Sequence, residues 1–355
     1  MKKKVKLSPG KIKNLKTPER RLLRSKSKVT EWLVDELSRL SNDVNCGGRS
    51  TADASRITRS VEKLSPCLTS GRQEDAHEFI LAMLNTLSLG GSNRALRALF
   101  DGKMASCVTC QKCGNISRRE ERFTDLSLEI SNDEVKSVDS ALKRFLTEED
   151  LGSDNKVECQ KCGKKRMVSK GLRLTDELPN ILTLHLKRFE YDNYGRLNRI
   201  GKKIRFNPTI DMAAHIEGGR KRRRANHLYR LTSIICHKGS SCMSGHYIAY
   251  VRRGSRWFLC NDSLVREVNE DKVLQQTSAY MLFYEREERG ETADVKEKEE
   301  KVEEEAEAEN RSHIHIYDIT PVITHCAKVR ELQNDKYRRT ALFTNHRKEG
   351  EGEGA

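Results

Sequence analysis

Two cysteine knuckles set the tightest limit on how this chain can fold. One is Cys107–Val108–Thr109–Cys110–Gln111–Lys112–Cys113–Gly114, and the other, far along the chain, is Cys159–Gln160–Lys161–Cys162–Gly163. A Cys-x-x-Cys pair can bring two thiolates around one ion, and two such pairs complete a tetrahedral zinc site with no open position. The glycine after each pair permits the tight turn that a knuckle needs. The first stretch offers either Cys107 with Cys110 or Cys110 with Cys113. Four sulfurs leave no room for an activated water, so the expected zinc is structural. The chain has eleven cysteines and no secretory start, which fits metal ligation in a reducing compartment better than disulfides.

A second constraint lies near the end of the folded part. Ser244–Gly245–His246–Tyr247–Ile248–Ala249–Tyr250–Val251 alternates like a strand, and Trp257–Phe258–Leu259–Cys260–Asn261–Asp262–Ser263 follows it. Arg253–Gly254–Ser255 between them reads as a hairpin turn. Closing that hairpin returns Asn261 and Asp262 toward His246. An imidazole with an amide or carboxylate partner is the base-plus-orienter half of a nucleophilic hydrolase site. Gly245, lacking a Cβ, allows another chain to approach closely.

Elsewhere the pattern is helical first and sheet-like later. Thr30 reads as an N-cap, with Leu33, Leu37 and Leu40 on one face and Trp32 beside them. Ile57, Val61 and Leu64 suggest a short second helix. In Gln73–Glu74–Asp75–Ala76–His77–Glu78–Phe79–Ile80 and beyond, Ala76, Phe79, Ile80, Met83 and Leu87 form a buried stripe. Leu182, Leu184 and Leu186 alternate with Thr183, His185 and Lys187, which predicts a half-buried strand with His185 on its polar face.

Composition marks the edges. At 36% hydrophobic and 34% charged, the chain is expected to carry disordered segments. The net charge of +15 is uneven: residues 1–28 are dense in Lys and Arg, Arg220–Lys221–Arg222–Arg223–Arg224 repeats the signal, and 285–309 is rich in Glu. The basic segments suit nuclear import or nucleic-acid binding. No apolar run approaches the roughly 18 residues of a membrane span, so no membrane partner is expected.

Taken together, SGHYIAYV, WFLCNDS, AYMLFY at 279–284, QEDAHEF at 73–79 and PNILTLHLKRF at 179–189 closely resemble the ubiquitin-specific proteases, papain-like cysteine deubiquitinases. The resemblance implies an α+β fold of thumb–palm–fingers type with an antiparallel sheet and a zinc ribbon. It sets out a basic arm at 1–28 and a protease-like domain at 29–286. That domain divides into a helical thumb remnant at 29–100, zinc-bearing fingers at 101–178 and a palm sheet at 179–286, followed by a charged tail at 287–355. It implies His246 as base, Asn261 as orienter and Asp262 as support. Gln73, Asp75, Gly245 and Tyr247 would line the cleft for the ubiquitin tail. Because family members place their pair directly before the Gly, the implied zinc ligands are Cys110, Cys113, Cys159 and Cys162, with Cys107 a spare. Lys203 to Pro208 resembles the next family strand. The implied partners are ubiquitin and ubiquitinated proteins. The wording after Cys260 is closest to a nuclear and nucleolar subgroup, which places the chain in the nucleus or nucleolus, with cytoplasm the alternative.

The family takes its nucleophile from a Gly-Asn-Thr-Cys-Tyr box at a helix start, where the N-terminus favours thiolate. That box is not found in this sequence, and neither Cys46 nor Cys67 sits in such a context. The thumb is therefore expected to be incomplete and this chain inactive by itself. Three readings follow: a fragment of a working thiol hydrolase, a pseudoprotease that binds ubiquitin without cutting, or a basic zinc-ribbon protein that binds nucleic acid. Retention of the His-Asn-Asp arrangement favours the first.

Overall fold

The computed structural model describes residues 28–40, 54–71, 74–88, 99–192, 194–217, 227–239, 245–262 and 264–287. The chain divides into two compact units, residues 1–96 with 329–355, and residues 97–328.

The described part of the first unit is helical. Residues 28–40 form α1, with Leu33, Leu37 and Leu40 buried along one face as their spacing predicts. Thr30 is not its cap: it lies inside the helix, buried, and its hydroxyl donates to the Thr86 carbonyl at 2.9 Å. Two short elements follow, α2 (Ser55–Thr58) and a 3₁₀ turn (Val61–Lys63). Glu36 of α1 is buried, and its carboxylate accepts from Arg39 and from Arg56 of α2, each at 3.0 Å. Burial alone would raise its pKa, but the two guanidinium groups outweigh that and hold it below the ordinary value. In α3 (Ala76–Leu87) the expected stripe of Ala76, Phe79, Ile80, Met83 and Leu87 is buried. Asp75 caps it, its Oδ1 accepting from the backbone N–H of His77 at 2.7 Å and of Glu78 at 3.3 Å.

The second unit is built from sheets. Its strands are, in chain order, β1 (Gly102–Cys110), β2 (Ile116–Phe123), β3 (Leu126–Glu129), β4 (Glu149–Asp150), β5 (Val157–Cys159), β6 (Lys164–Arg166), β7 (Val168–Leu174) and β8 (Ile181–Lys187). There follow β9 (Phe189–Tyr191), β10 (Leu197–Arg199), β11 (Thr209–Asp211), β12 (Leu228–Lys238), β13 (His246–Arg253), β14 (Arg256–Asn261), β15 (Leu264–Val268) and β16 (Ala279–Arg286). The unit also holds helix α4 (Val138–Phe145), closed at its start by a Ser137–Ser140 capping box, and α5 (Glu270–Leu274), with 3₁₀ turns at Ser153–Asn155 and Met212–Ala214.

A four-stranded antiparallel sheet, in the order β2-β1-β7-β4, bears the first cysteine knuckle at its end, and the β5–β6 hairpin bears the second. The large sheet runs β15-β14-β13-β12-β16-β8-β3, with β11 joined to β12. It is antiparallel except where β3 lies parallel to β8. One face of it packs Leu182, Leu184, Leu186, Ile234, Ile248 and Leu282 into a core with Val138, Ala141 and Leu142 of α4.

Two expectations need correcting here. β8 is not half-buried: Thr183 and His185 are 1% and 8% exposed, because the strand lies inside the sheet between β16 and β3 with both faces covered. His185 there meets the Ser127 hydroxyl at 2.9 Å and packs edge-on against Tyr280. Lys203 to Pro208 does not form a strand either. Ile204 and Phe206 are buried in the core, Arg205 makes an isolated bridge to Ser137, and the strand β11 starts only after Pro208.

Arg188 closes β8 with a fully buried guanidinium. It donates to four carbonyls, those of Ala279 (2.6 Å), Ile200 (2.9 Å), Lys202 (2.9 Å) and Thr277 (3.0 Å). Burial lowers its pKa to about 10, so it remains charged at neutral pH. Thus Arg188 ties the segment carrying the β9–β10 hairpin to β16 at the sheet end. Replacing it by Met keeps much of the volume and strands those carbonyls. Arg188→Met is expected to lower stability in urea unfolding by about 3 kcal/mol; a loss under about 1 kcal/mol would contradict this.

Candidate functional site

The end of the large sheet where β13 begins and β14 finishes brings the expected hydrolase residues together. β13 and β14 turn on Gly254, whose φ of 57° suits a tight hairpin. Their register sets Ala249 opposite Cys260 and Tyr250 opposite Leu259. By strand alternation Asn261 then shares a face with Ile248 and His246, as a diagonal neighbour of His246. The side chains close that diagonal: His246 Nε2 lies 2.6 Å from Asn261 Oδ1. An amide oxygen only accepts, so Nε2 carries the proton and Nδ1 is the basic nitrogen of the neutral ring.

Asp262 follows in the turn between β14 and β15 with φ 55°, the one positive φ outside glycine among the described residues. Asp is among the few residues that tolerate this conformation. Tyr247 points to the other face of β13 and is 6% exposed, its ring against His237 and Tyr280. Gly245 stands immediately before β13. Asp75 is placed in the first unit as the cap of α3. Gln73, Cys46, Cys242 and the basic run 220–224 lie outside the described residues.

Among the described residues, the thiols closest in sequence to His246 and Asn261 are poor nucleophiles. Cys260 sits on the opposite face of β14 from Asn261, in a small cluster with Ala249 and Val251. Cys236 is fully buried in the main core. Burial pushes both thiols up to about 11, which keeps them protonated at neutral pH. Cys67 is exposed in a turn of the first unit.

The two knuckles meet. Cys110, Cys113, Cys159 and Cys162 place their sulfurs within 4.8 Å of one another, with Cys113 and Cys159 at 3.6 Å. Four sulfurs around one ion at Zn–S distances would stand about 3.8 Å apart, so the set fits a tetrahedral metal. Both knuckles turn alike: the N–H of Gly114 donates to the Cys110 carbonyl and that of Gly163 to the Cys159 carbonyl, each at 2.8 Å, with φ of 66° and 62°. Cys107 is excluded from the cluster, since it stays in the β1 ladder opposite Arg118 and Gly171. Backbone N–H groups of Cys113 and Lys112 bring the Cys110 thiol down to about 7. At Cys113 the Asn115 N–H also pulls downward, but the Cys162 thiol, burial and the other cysteines prevail and push it up to about 12. Thiols this close resist ionising together unless a cation joins them.

Sequence reasoning missed Arg188 and His237. The notable signal for each was a charged or polar residue at the end of an otherwise apolar strand, which says nothing about its distant partners.

The family model described as ubiquitin carboxyl-terminal hydrolase matches residues 7–284. Ubiquitin carboxyl-terminal hydrolase 16 of Arabidopsis thaliana is 33% identical over 243 residues, covering 64% of this chain and 23% of that protein. Ubiquitin carboxyl-terminal hydrolase 9 of Saccharomyces cerevisiae is 32% identical over 255 residues, covering 63% of this chain and 32% of that protein. The chain thus spans about a quarter to a third of the length of these curated relatives. Among solved structures, the SAGA Ubp8/Sgf11/Sus1/Sgf73 DUB module bound to ubiquitin aldehyde is similar, with a TM-score of 0.62 and 25% identity over 75% of this chain and 61% of that one. A form of that module bound to monoubiquitin gives a TM-score of 0.62 and 28% identity over 75% of this chain and 60% of that one.

Proposed function

This chain belongs to the ubiquitin carboxyl-terminal hydrolase family, and from that membership we propose that it binds ubiquitin and holds the base side of a thiol-hydrolase site for bonds at the ubiquitin C-terminus. The observation that carries this reading is the 2.6 Å contact between His246 and Asn261 on adjoining strands. The similar Ubp8 modules hold ubiquitin aldehyde and monoubiquitin, which supports ubiquitin as the partner.

In this scheme Nδ1 of His246 takes the proton of an attacking cysteine, while Asn261 keeps the ring in the required tautomer and orientation. The thiolate adds to the carbonyl carbon of ubiquitin's last glycine, and the imidazolium returns its proton to the leaving amine. Water, deprotonated by the same imidazole, then releases ubiquitin from the thioester. Asp262 supports the pair from the adjoining turn. The sequence contains no Gly-Asn-Thr-Cys segment. The chain in this form is accordingly expected to bind without cutting.

Zinc is the ion that this donor set suits, and its place is structural: Cys110, Cys113, Cys159 and Cys162 fill a tetrahedron. When bound, it joins the two knuckles and fixes the β5–β6 hairpin to the end of the four-stranded sheet. The basic segments at 1–28 and 220–224 support a nuclear location.

Two outcomes check this. In calorimetry the chain should bind ubiquitin saturably, and ubiquitin lacking its last two glycines should bind about tenfold more weakly, a difference of about 1.4 kcal/mol. Absence of binding, or equal affinity for both forms, would contradict a tail-directed cleft. The protein purified with zinc should carry one equivalent per chain by elemental analysis, and Cys113→Ser with Cys162→Ser should lose it. Retention of a full equivalent by that double variant would move the metal elsewhere.

A further inference from the structure

His246 is the first residue of β13. The end of a strand is where pairing is weakest and local opening costs least. A base held there needs a support that the ladder itself does not supply. The described residues contain one.

On β12, His237 stands opposite Tyr247, one step from the Lys238–His246 pair where the ladder ends. His237 is 3% exposed, and its ring lies against the α-carbon of Gly245. A Cβ on Gly245 would come within 2.0 Å of His237 Nε2 and 2.5 Å of its Cε1. The glycine that sequence reasoning kept for an incoming chain is thus occupied by this imidazole.

The ring is itself held on several sides. Arg199 of β10 donates from Nε to His237 Nδ1 at 3.3 Å and from Nη2 to its carbonyl at 3.0 Å. Phe189 meets the ring edge-on at 5.2 Å between centroids, and Tyr247 tilts against it at 4.9 Å. Both Phe189 and Arg199 belong to the β9–β10 hairpin, whose flanks Arg188 ties down through the carbonyls of Ile200 and Lys202. Next to His237, the β12–β16 pairing carries a register shift between Ile235 and Cys236, which adds local twist.

We propose that His237 is a positioning residue for His246, acting as a wedge against the Gly245 backbone and clamped in place by Arg199. The inference rests on the reading of His246 as a base. Its contacts run in one line: Arg188 holds the hairpin, the hairpin presents Arg199, Arg199 orients His237, and His237 fixes the backbone from which His246 starts. The role assigned to His237 is to hold the backbone before His246, not to take part in proton transfer.

A double-mutant cycle on the whole chain tests this, read by nitrogen-15 NMR of the His246 imidazole. The spectrum reports the tautomer directly and requires neither ubiquitin nor turnover. In the native chain His246 should show one tautomer, protonated at Nε2. Gly245→Ala and His237→Ala should each move it toward an average of the two tautomers. The pair together should lose less than the sum of the single losses, because removing the ring makes room for the added methyl. Arg199→Lys keeps the charge but not the two-pronged grip, and should also shift the tautomer balance while the Trp257 indole signal stays native. This variant serves as the test if Gly245→Ala fails to fold. A native His246 spectrum in Arg199→Lys or in folded Gly245→Ala would overturn the proposal, as would strict additivity in the cycle. Failure of ubiquitin binding would sink the functional reading and leave these spectra unchanged, so the two are separable.

Discussion

The register between two neighbouring strands is the constraint on which the site depends. A slip of one residue between β13 and β14 would reverse every side chain of one strand relative to the other. Asn261 would then face the cluster of Ala249, Val251 and Cys260 instead of His246. Two things fix the register. Ile248, Tyr250, Trp257 and Leu259 must all point into the main core, and Gly254 allows a turn short enough to enforce that alignment. The pairing of His246 with Asn261 is therefore a by-product of hydrophobic packing a few residues away. A hydrogen bond of ordinary strength, worth about 1 kcal/mol net, could not set that alignment by itself. It only has to select the ring orientation once the strands are in place.

The same logic operates at the other end of the second unit with different chemistry. β1, β2 and β7 there are short of apolar residues on their outer faces, and β2 is exposed along nearly its whole length. Little hydrophobic area is available to hold the knuckles together. The four cysteines gather where burial is lacking, at the place where a bound metal would supply the cross-link. Surface ion pairs around Glu217, which meets both Arg118 and Arg173, add a weaker link between the four-stranded sheet and the segment after β11.

What could be read from the sequence was whatever depends on local spacing. The Cys-x-x-Cys-Gly pairs, the apolar stripe of α3 and the period-two runs either side of Gly254 each carry their own geometry, while the α+β fold came from the family resemblance that these motifs carry. What could not be read depends on distant neighbours. Alternation in β8 suggested one wet face, but whether the face bearing Thr183 and His185 is covered depends on elements far away in the chain. Thr30 resembles a cap in sequence, yet its hydroxyl serves the Thr86 carbonyl. Arg188 and His237 gain their meaning from carbonyls and rings that no local window contains. Within the candidate site, the pairing of His246 with Asn261 was legible because a hairpin is local. The wedge at Gly245 was not, since its partner comes from the neighbouring strand.

The most direct measurement is the nuclear Overhauser spectrum of the intact chain at the His246 ring protons. The account predicts contacts from that ring to the side chain of Asn261, with Ile248 on the same face. Contacts instead to Val251 and Cys260, on the far face of the hairpin, would show that the base and its orienter are not assembled and would contradict the account at its root.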